Sequence, residues 1–367
     1  MLKFPRLKTF LSVFPLTATT WGLRGGGDEL WRIKLTDARA VRAFSALLPY
    51  LNGQTSTDDI LRLVESDGYH RGAATAVLRQ LEASSLLEEA GDSGLSEADV
   101  RTFEDQIRFF SRFGQQGGAK LQSVLRTSLV ALAADGAVGQ SVYGRLAGAG
   151  FGSVTVLSRE PAHAASWVER VPEPRPTTTV LELDAESVWP ETIDVPRLLM
   201  VCEDAHDPRL LEAVDAWSKR RRVPWLLVRQ LDVEEAWVGP LFVPGETASY
   251  LSLEARLRAN MPNFAEYVAF DTHVRSTERR ASRQGGLHAT FDLVASVAVI
   301  EAIKFVTEVK VPELLGRFLT INLSTWETEL HDVLRVPALD RRDASRPPVF
   351  PWKVTSDAHS VGATGRA

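Results

Sequence analysis

One cysteine, Cys202, stands among 367 residues. That scarcity excludes an intramolecular disulfide framework and a multi-thiolate zinc site within one chain, and predicts a reducing cytoplasm. Neither sign of charge dominates. The 42 basic and 47 acidic residues leave a net charge of −5, so the chain is not a polycation built to meet nucleic acid. Long hydrophobic runs are missing as well. The most apolar helical stretch, Phe291 to Val306, contains Asp292, Glu301 and Lys304 and reads as a buried core helix, not a bilayer span. Met1 to Leu16 is broken by Pro5 and Pro15 and lacks a continuous apolar region with a cleavage site, so it reads as structured and retained. The seven histidines show no metal-ligand spacing.

What is present is ordinary globular composition, 44% apolar, in a chain long enough for at least two cores. The rest is organised around Ser128 to Arg159, SLVALAADGAVGQSVYGRLAGAGFGSVTVLSR. An apolar strand, Leu129 to Ala133, enters a small-residue turn, continues into a helical pattern and returns as a second strand, Ser153 to Leu157. The turn, Ala134-Asp135-Gly136-Ala137-Val138-Gly139, reads A-x-G-x-x-G. It is one glycine short of the fingerprint whose backbone N–H groups and helix N-terminus hold a dinucleotide phosphate.

Ahead of that unit, β-rich pieces at Phe10–Leu16, Thr19–Leu23 and Glu29–Leu35 predict a three-stranded meander. Helical patterns follow at Ala38–Leu51, at Thr57–Ser66 with Thr57 as N-cap candidate, and at His70–Leu87. Three strands and three helices predict a small winged helix-turn-helix. DNA binding is the usual reading of such a unit, but the third helix offers few basic side chains to phosphate. The Gly- and Ser-containing segment Ala90–Leu95 reads as a linker. Downstream, strands at Thr179–Leu183, Arg197–Cys202 and Trp225–Arg229, with a helix over Pro208–Arg221, predict a mostly parallel sheet. The last third predicts a strand pair near Trp237–Phe242, helices over Thr247–Ala259 and 291–306, and strands at Phe318–Leu323 and His331–Val336. An extended tail follows from residue 338.

The run DQIRFFSRFGQQGGAKLQSVLRTSLVALAADGAVGQ resembles the entry into the adenylate-forming fold of the ThiF/MoeB (ubiquitin-activating-enzyme-like) superfamily. GPLFVPGETASYLSLEARLR, HATFDLVASVAVIEAIKF and LLGRFLTINLSTWETELHDVLRVP are similar to late segments of the ThiF-like partner proteins of thiazole/oxazole-modified microcin biosynthesis. The order is kept across residues 97–337. The N-terminal unit resembles the leader-peptide recognition element of ribosomally made peptide pathways. The resemblance implies an α/β chain with a winged-helix leader-binding domain at 1–90, a degenerate ThiF-like Rossmann-type domain at 97–337 and an extended tail at 338–367. The function it implies is non-catalytic: binding a precursor leader peptide and presenting it to a YcaO-type cyclodehydratase for azoline formation, as in bacteriocin or thiopeptide biosynthesis. The alternative is an active ATP-dependent adenylating enzyme acting on a peptide carboxylate. No cofactor, metal, nucleic acid or membrane is implied, and a homodimer through the ThiF-like domain is left open.

Departures from the family's pattern bear on chemistry. Ala134 replaces the first glycine, and Asp135 puts a carboxylate in the phosphate turn, where a like-charge contact at about 4 Å costs ~1 kcal/mol in water and ~4 kcal/mol at an effective dielectric near 20. Ser158-Arg159 stands where the family has a ribose-binding acid. Asp204 and Asp207 lie in the region of the family's metal aspartate but read more simply as solvated loop or cap residues, Asp207 as the N-cap before Pro208. At the family's zinc positions stand Ala248, Leu251, Leu339 and Arg342, so no ligand set remains. Cys202 reads as a small buried core residue, and the basic run at Lys219–Arg222 as the complement of a helix C-terminus. For the leader, the resemblance points to Leu30, Arg32 and Lys34 on the meander's edge strand and to Leu78, Arg79 and Glu82 on the third helix. Alternation would turn Trp31, Ile33 and Leu35 inward. Arg32 and Lys34 also read as solvated residues that keep a free edge from aggregating.

Overall fold

The computed structural model describes residues 1–26, 29–35, 38–184, 188–189, 194–230, 232–276 and 285–340. The expected tail, from 341 on, lies outside them.

The N-terminal unit contains β1 (Pro5–Leu7), β2 (Ser12–Thr17), β3 (Thr20–Arg24), β4 (Leu30–Lys34), α1 (Ala38–Leu47), α2 (Thr57–Ser66), α3 (Arg71–Ala83) and β5 (Leu87–Glu89). β2, β3 and β4 form an antiparallel sheet in that order, so β4 is an edge, and β1 pairs with β5. The meander and three helices stand where the patterns place them, with local corrections. The N-cap of α2 is Ser56, whose hydroxyl accepts from Asp59 N at 3.2 Å; Thr57 turns away and donates to the Leu2 carbonyl at 2.7 Å. α3 ends at Ala83, after which Leu86 and Leu87 enter the core, Leu87 as the first residue of β5, instead of extending the helix. One apolar cluster unites this unit, including Leu23, Ile33, Phe44, Ile60, Val77 and Leu81.

A chain of short helices, α4 (Glu97–Thr102), α5 (Glu104–Phe110) and α6 (Gly118–Thr127), leads into β6 (Leu129–Ala133). There follow α7 (Ala137–Gly148), β7 (Ser153–Ser158), α8 (Pro161–Glu169), β8 (Thr177–Glu182), β9 (Leu198–Glu203), α9 (Pro208–Arg221), β10 (Trp225–Arg229) and β11 (Glu235–Phe242). Last come α10 (Tyr250–Ala259), α11 (Phe264–Ser276), α12 (His288–Thr307), β12 (Arg317–Asn322) and β13 (Thr328–Asp332). The eight strands order as β13-β12-β11-β10-β9-β6-β7-β8, parallel from β8 through β10 and antiparallel from β10 through β13. This is a mixed α/β fold with a largely parallel, Rossmann-like sheet. The expected strand pair near Trp237 is one long strand, β11.

Alternation along β6 explains the layering. Val130 and Leu132 face a cluster with Val138, Val142 and Leu146 of α7 and with Ala298 and Phe305 of α12. Ala131 and Ala133 face the opposite cluster, with Leu211, Val214 and Trp217 of α9 and Leu253 of α10. Both faces are covered, which is why these strands read as continuous apolar runs. The chain leaves β6 for β7 on one side and returns to β9 on the other, so the order in which strands are added reverses between β6 and β9. The crevice beyond the carboxyl ends of such strands is where open α/β sheets bind ligands.

Candidate functional site

At this switch point β6 ends in Ala134-Asp135-Gly136, and α7 starts at Ala137. Gly139 is needed for packing: a Cβ there would lie 2.1 Å from the Ala134 Cβ. Gly136 is needed for a different reason. A Cβ on it would lie 1.6 Å from Oδ2 of Asp204, so the Asp204 carboxylate rests directly on the turn at the start of α7, where the helix dipole favours an anion. Asp135 is buried and turned toward the end of β7. Its Oδ1 accepts from Ser158 Oγ at 2.9 Å and from the Arg159 backbone N–H at 2.7 Å. Arg159 in turn pairs with Asp135 Oδ2 at 3.4 Å and with Asp207 Oδ2 at 2.5 Å. Asp204 lies on the turn itself, while Asp135 turns away from it to the end of β7, where Arg159 pairs with it. These residues do not fit a nucleotide phosphate.

Beside the turn, the end of β9 carries a charged network that the sequence does not reveal. Glu203 is buried and pairs with Arg229 of β10, whose guanidinium lies over Trp237 at 5.5 Å. Burial acts to raise the Glu203 carboxyl, but Arg229 and His206 hold it below the usual carboxylate range. His206 lies 3.6 Å from Glu203 and 3.4 Å from Asp271. Burial lowers its imidazole, yet the hydrogen bonds and charge of Glu203 and the bond to Asp271 bring it above its ordinary value. Asp271 also takes Arg258 and Arg275, each at 2.8 Å, and Arg275 forks onto Glu212 at 2.8 and 3.1 Å. The network fastens α11 to the sheet. Asp207 caps α9 as expected, accepting from Leu210 N at 3.1 Å. Cys202 is buried, and burial with the neighbouring Asp204 charge pushes its thiol well up, which suits packing and not nucleophilicity. Among the described residues no three His, Cys, Asp or Glu side chains are placed to hold a metal ion, and no helix is long and apolar enough to cross a membrane.

On the N-terminal sheet the edge strand β4 alternates as expected. Ile33 and Leu35 are buried and Trp31 is half-buried, while Leu30, Arg32 and Lys34 are exposed. Arg79 is exposed on α3 and Glu82 half-buried, but Leu78 is only 2% exposed and belongs to the core. It supports α3 from within and lines no open wall.

No protein-family model matches the chain, and no curated protein matches it by sequence. Solved structures do resemble it. The fold is similar to that of E. coli MccB crystallised with succinimide, at a TM-score of 0.60 and 14% identity over 91% of this chain and 98% of that one. It is similar to the microcin C7 biosynthetic enzyme MccB in complex with N-formylated MccA, at 0.60 and 15% over 91% and 98%. The heterocyclase TruD scores 0.62 at 19% identity, covering 92% of this chain but 42% of that one. At such identities the likeness establishes the fold alone: this chain shares its mixed α/β architecture with MccB over most of both chains.

Proposed function

We propose that this chain is a non-catalytic partner that binds the leader of a ribosomally made precursor peptide and recruits it to a YcaO-type cyclodehydratase for azoline formation. The observation that carries the reading is the turn at the switch point, where Asp204 rests on Gly136 and Asp135 reaches Ser158 and Arg159, in place of an anion cradle. A phosphate entering there would meet the Asp204 carboxylate on the turn, and adenylation needs that phosphate held. Support from the fold is twofold. An architecture of this kind forms part of a heterocyclase, TruD, and is coextensive with an enzyme, MccB, solved with MccA bound. In this reading, residues 1–90 are a winged-helix recognition domain and 97–337 the degenerate ThiF-like domain. The leader adds as an antiparallel strand on β4, where unpaired backbone groups supply affinity and exposed Leu30, Arg32 and Lys34 supply choice, with Arg79 and Glu82 of α3 opposite.

Calorimetry with ATP and fluorescence anisotropy with labelled precursor peptides encoded beside this chain test the proposal together. The expected result is tight peptide binding without nucleotide, and retention of a co-expressed cyclodehydratase on the tagged chain. The likeness to MccB, which has also been solved with ATP, favours an adenylating enzyme as the rival. Micromolar ATP affinity, or ATP-to-pyrophosphate exchange driven by the peptide, decides for it.

A further inference from the structure

The loop between α5 and α6 belongs to the α/β part of the chain, yet it touches both walls of the proposed peptide groove. Arg112 pairs with Glu29 at 3.3 Å, just before β4 begins. Its guanidinium lies over Phe10 at 4.8 Å, and a Cβ on Gly26 would come within 2.8 Å of it, so it sits on the β3–β4 hairpin tip. Three residues on, Gln115 donates to the Glu82 carbonyl at the end of α3 at 2.8 Å and accepts from Glu89 N at 2.8 Å. One loop therefore reaches both the start of β4 and the end of α3. The loop is itself held by a buried group: Glu88, fully enclosed, accepts from Ser111 Oγ at 2.7 Å and from Gly118 N at 3.1 Å.

Strand polarity sets what this loop meets. A peptide pairing antiparallel with β4 runs from the Lys34 end to the Leu30 end, so its C-terminal side leaves the groove at Arg112. We infer that Arg112 is a peptide-recognition residue supplied by the α/β part of the chain, selecting an acidic side chain just C-terminal to the leader's strand segment. This rests on the reading of β4 as the leader's docking edge. The chemistry of the exit favours a carboxylate. Arg112 and Glu29 are 35% and 49% exposed, an arrangement in which the resident pair is held weakly and an incoming carboxylate can take its place. An exposed apolar shelf, Phe109 packed on Phe113, adjoins Arg112 in sequence. It offers contact to the aliphatic part of the same residue or its neighbour.

An mRNA-display selection tests this without knowledge of the natural precursor. The probe is a random library of peptides about twenty residues long, selected on the full chain and, in parallel, on Arg112→Gln, Arg112→Glu and the Arg32→Glu, Lys34→Glu double variant. The expected outcome on the wild type is an alternating segment followed within a few residues by Asp or Glu. Enrichment of that acid should fall about ten-fold in Arg112→Gln, the scale of one charge-assisted contact, and turn to Lys or Arg in Arg112→Glu, while the alternating segment persists. The same acid retained in both Arg112 variants overturns the role of Arg112 and leaves β4 as the docking edge. Unchanged enrichment in the β4 double variant, or no alternating segment on the wild type, overturns the β4 reading and this inference with it.

Discussion

A carboxylate at the start of a helix is stabilised by the N–H groups there, and it opposes the entry of a second anion at the same place. Asp204 is placed in that way at the start of α7, so the crevice between β6 and β9 should bind ATP no tighter than about millimolar; titration calorimetry on the purified chain checks it. His206 makes a second prediction at this scale. Its imidazole stands above its ordinary value because Glu203 and Asp271 outweigh burial and the opposing Arg229 charge. The stability it adds is full below about pH 6.5, the unfolded value, and is lost as pH rises through the raised folded value. Glu203 and Asp271 act oppositely, with folded values below their ordinary ones, so their contribution fades as pH falls. Melting curves of the wild type and of His206→Gln should therefore be furthest apart in mild acid and converge in alkali. A separation that does not change with pH would remove the charged role of His206.

The elements that sequence periodicity could reach are those whose stability comes from an apolar face. β10 and α9 stand at the boundaries read from the sequence, because Trp225–Arg229 is a continuous buried run and α9 is bracketed by the Asp207 cap and a basic last turn. α11 was not legible. Of its residues only Asp271 and Val274 are buried, while Phe264, Val268 and Phe270 are exposed, so no apolar stripe marks it; ion pairs with Arg258 and His206 hold it instead. α8 was hidden by the prolines that follow it, although Pro161 opens it at a position helices accept. At the site, the glycine turn could be read, but the resting place of Asp204 could not, since it depends on β9 lying beside β6. For β4 the expectation is direct. Reversing both charges with Arg32→Glu and Lys34→Glu should weaken leader binding by about 2 kcal/mol or more, two charge-assisted contacts, with the melting temperature nearly unchanged because both side chains are exposed. Anisotropy with a labelled leader measures the first and scanning fluorimetry the second; unaltered affinity in the folded double variant would move the peptide elsewhere.

At the scale of the molecule the question is whether the two cores behave as separable modules. Residues 90–95 read as a linker, and the apolar cluster of the N-terminal unit shares no residue with the clusters on the large sheet. Polar contacts nonetheless fasten the two. The Glu88 carboxylate, on β5, takes Arg6 at 2.6 Å on one side and Ser111 and Gly118 on the other. Glu89 adds a backbone bond to Gln115 and holds the N–H groups of Lys3 and Phe4 at 2.6 and 2.7 Å. Lys8 nearby is almost fully buried, and burial lowers its ammonium against the opposing pull of Glu88. A truncation that removes residues 1–90 would thus strip Ser111 and the start of α6 of a buried partner, beyond deleting the peptide site. Glu88→Ala is the cleaner test. It leaves Arg6 and the Gly118 N–H without their acceptor, and breaking such a buried pair costs roughly 3–5 kcal/mol. The wild type should unfold in one calorimetric transition, and the variant in two, the N-terminal unit first, because its smaller core has lost the tie that made it melt with the large sheet. With Arg112 and Gln115 no longer fixed against the groove, the same variant should lose peptide affinity while a binding partner of the large sheet is retained. A single unshifted transition in Glu88→Ala would show that the tie lies elsewhere than at this carboxylate.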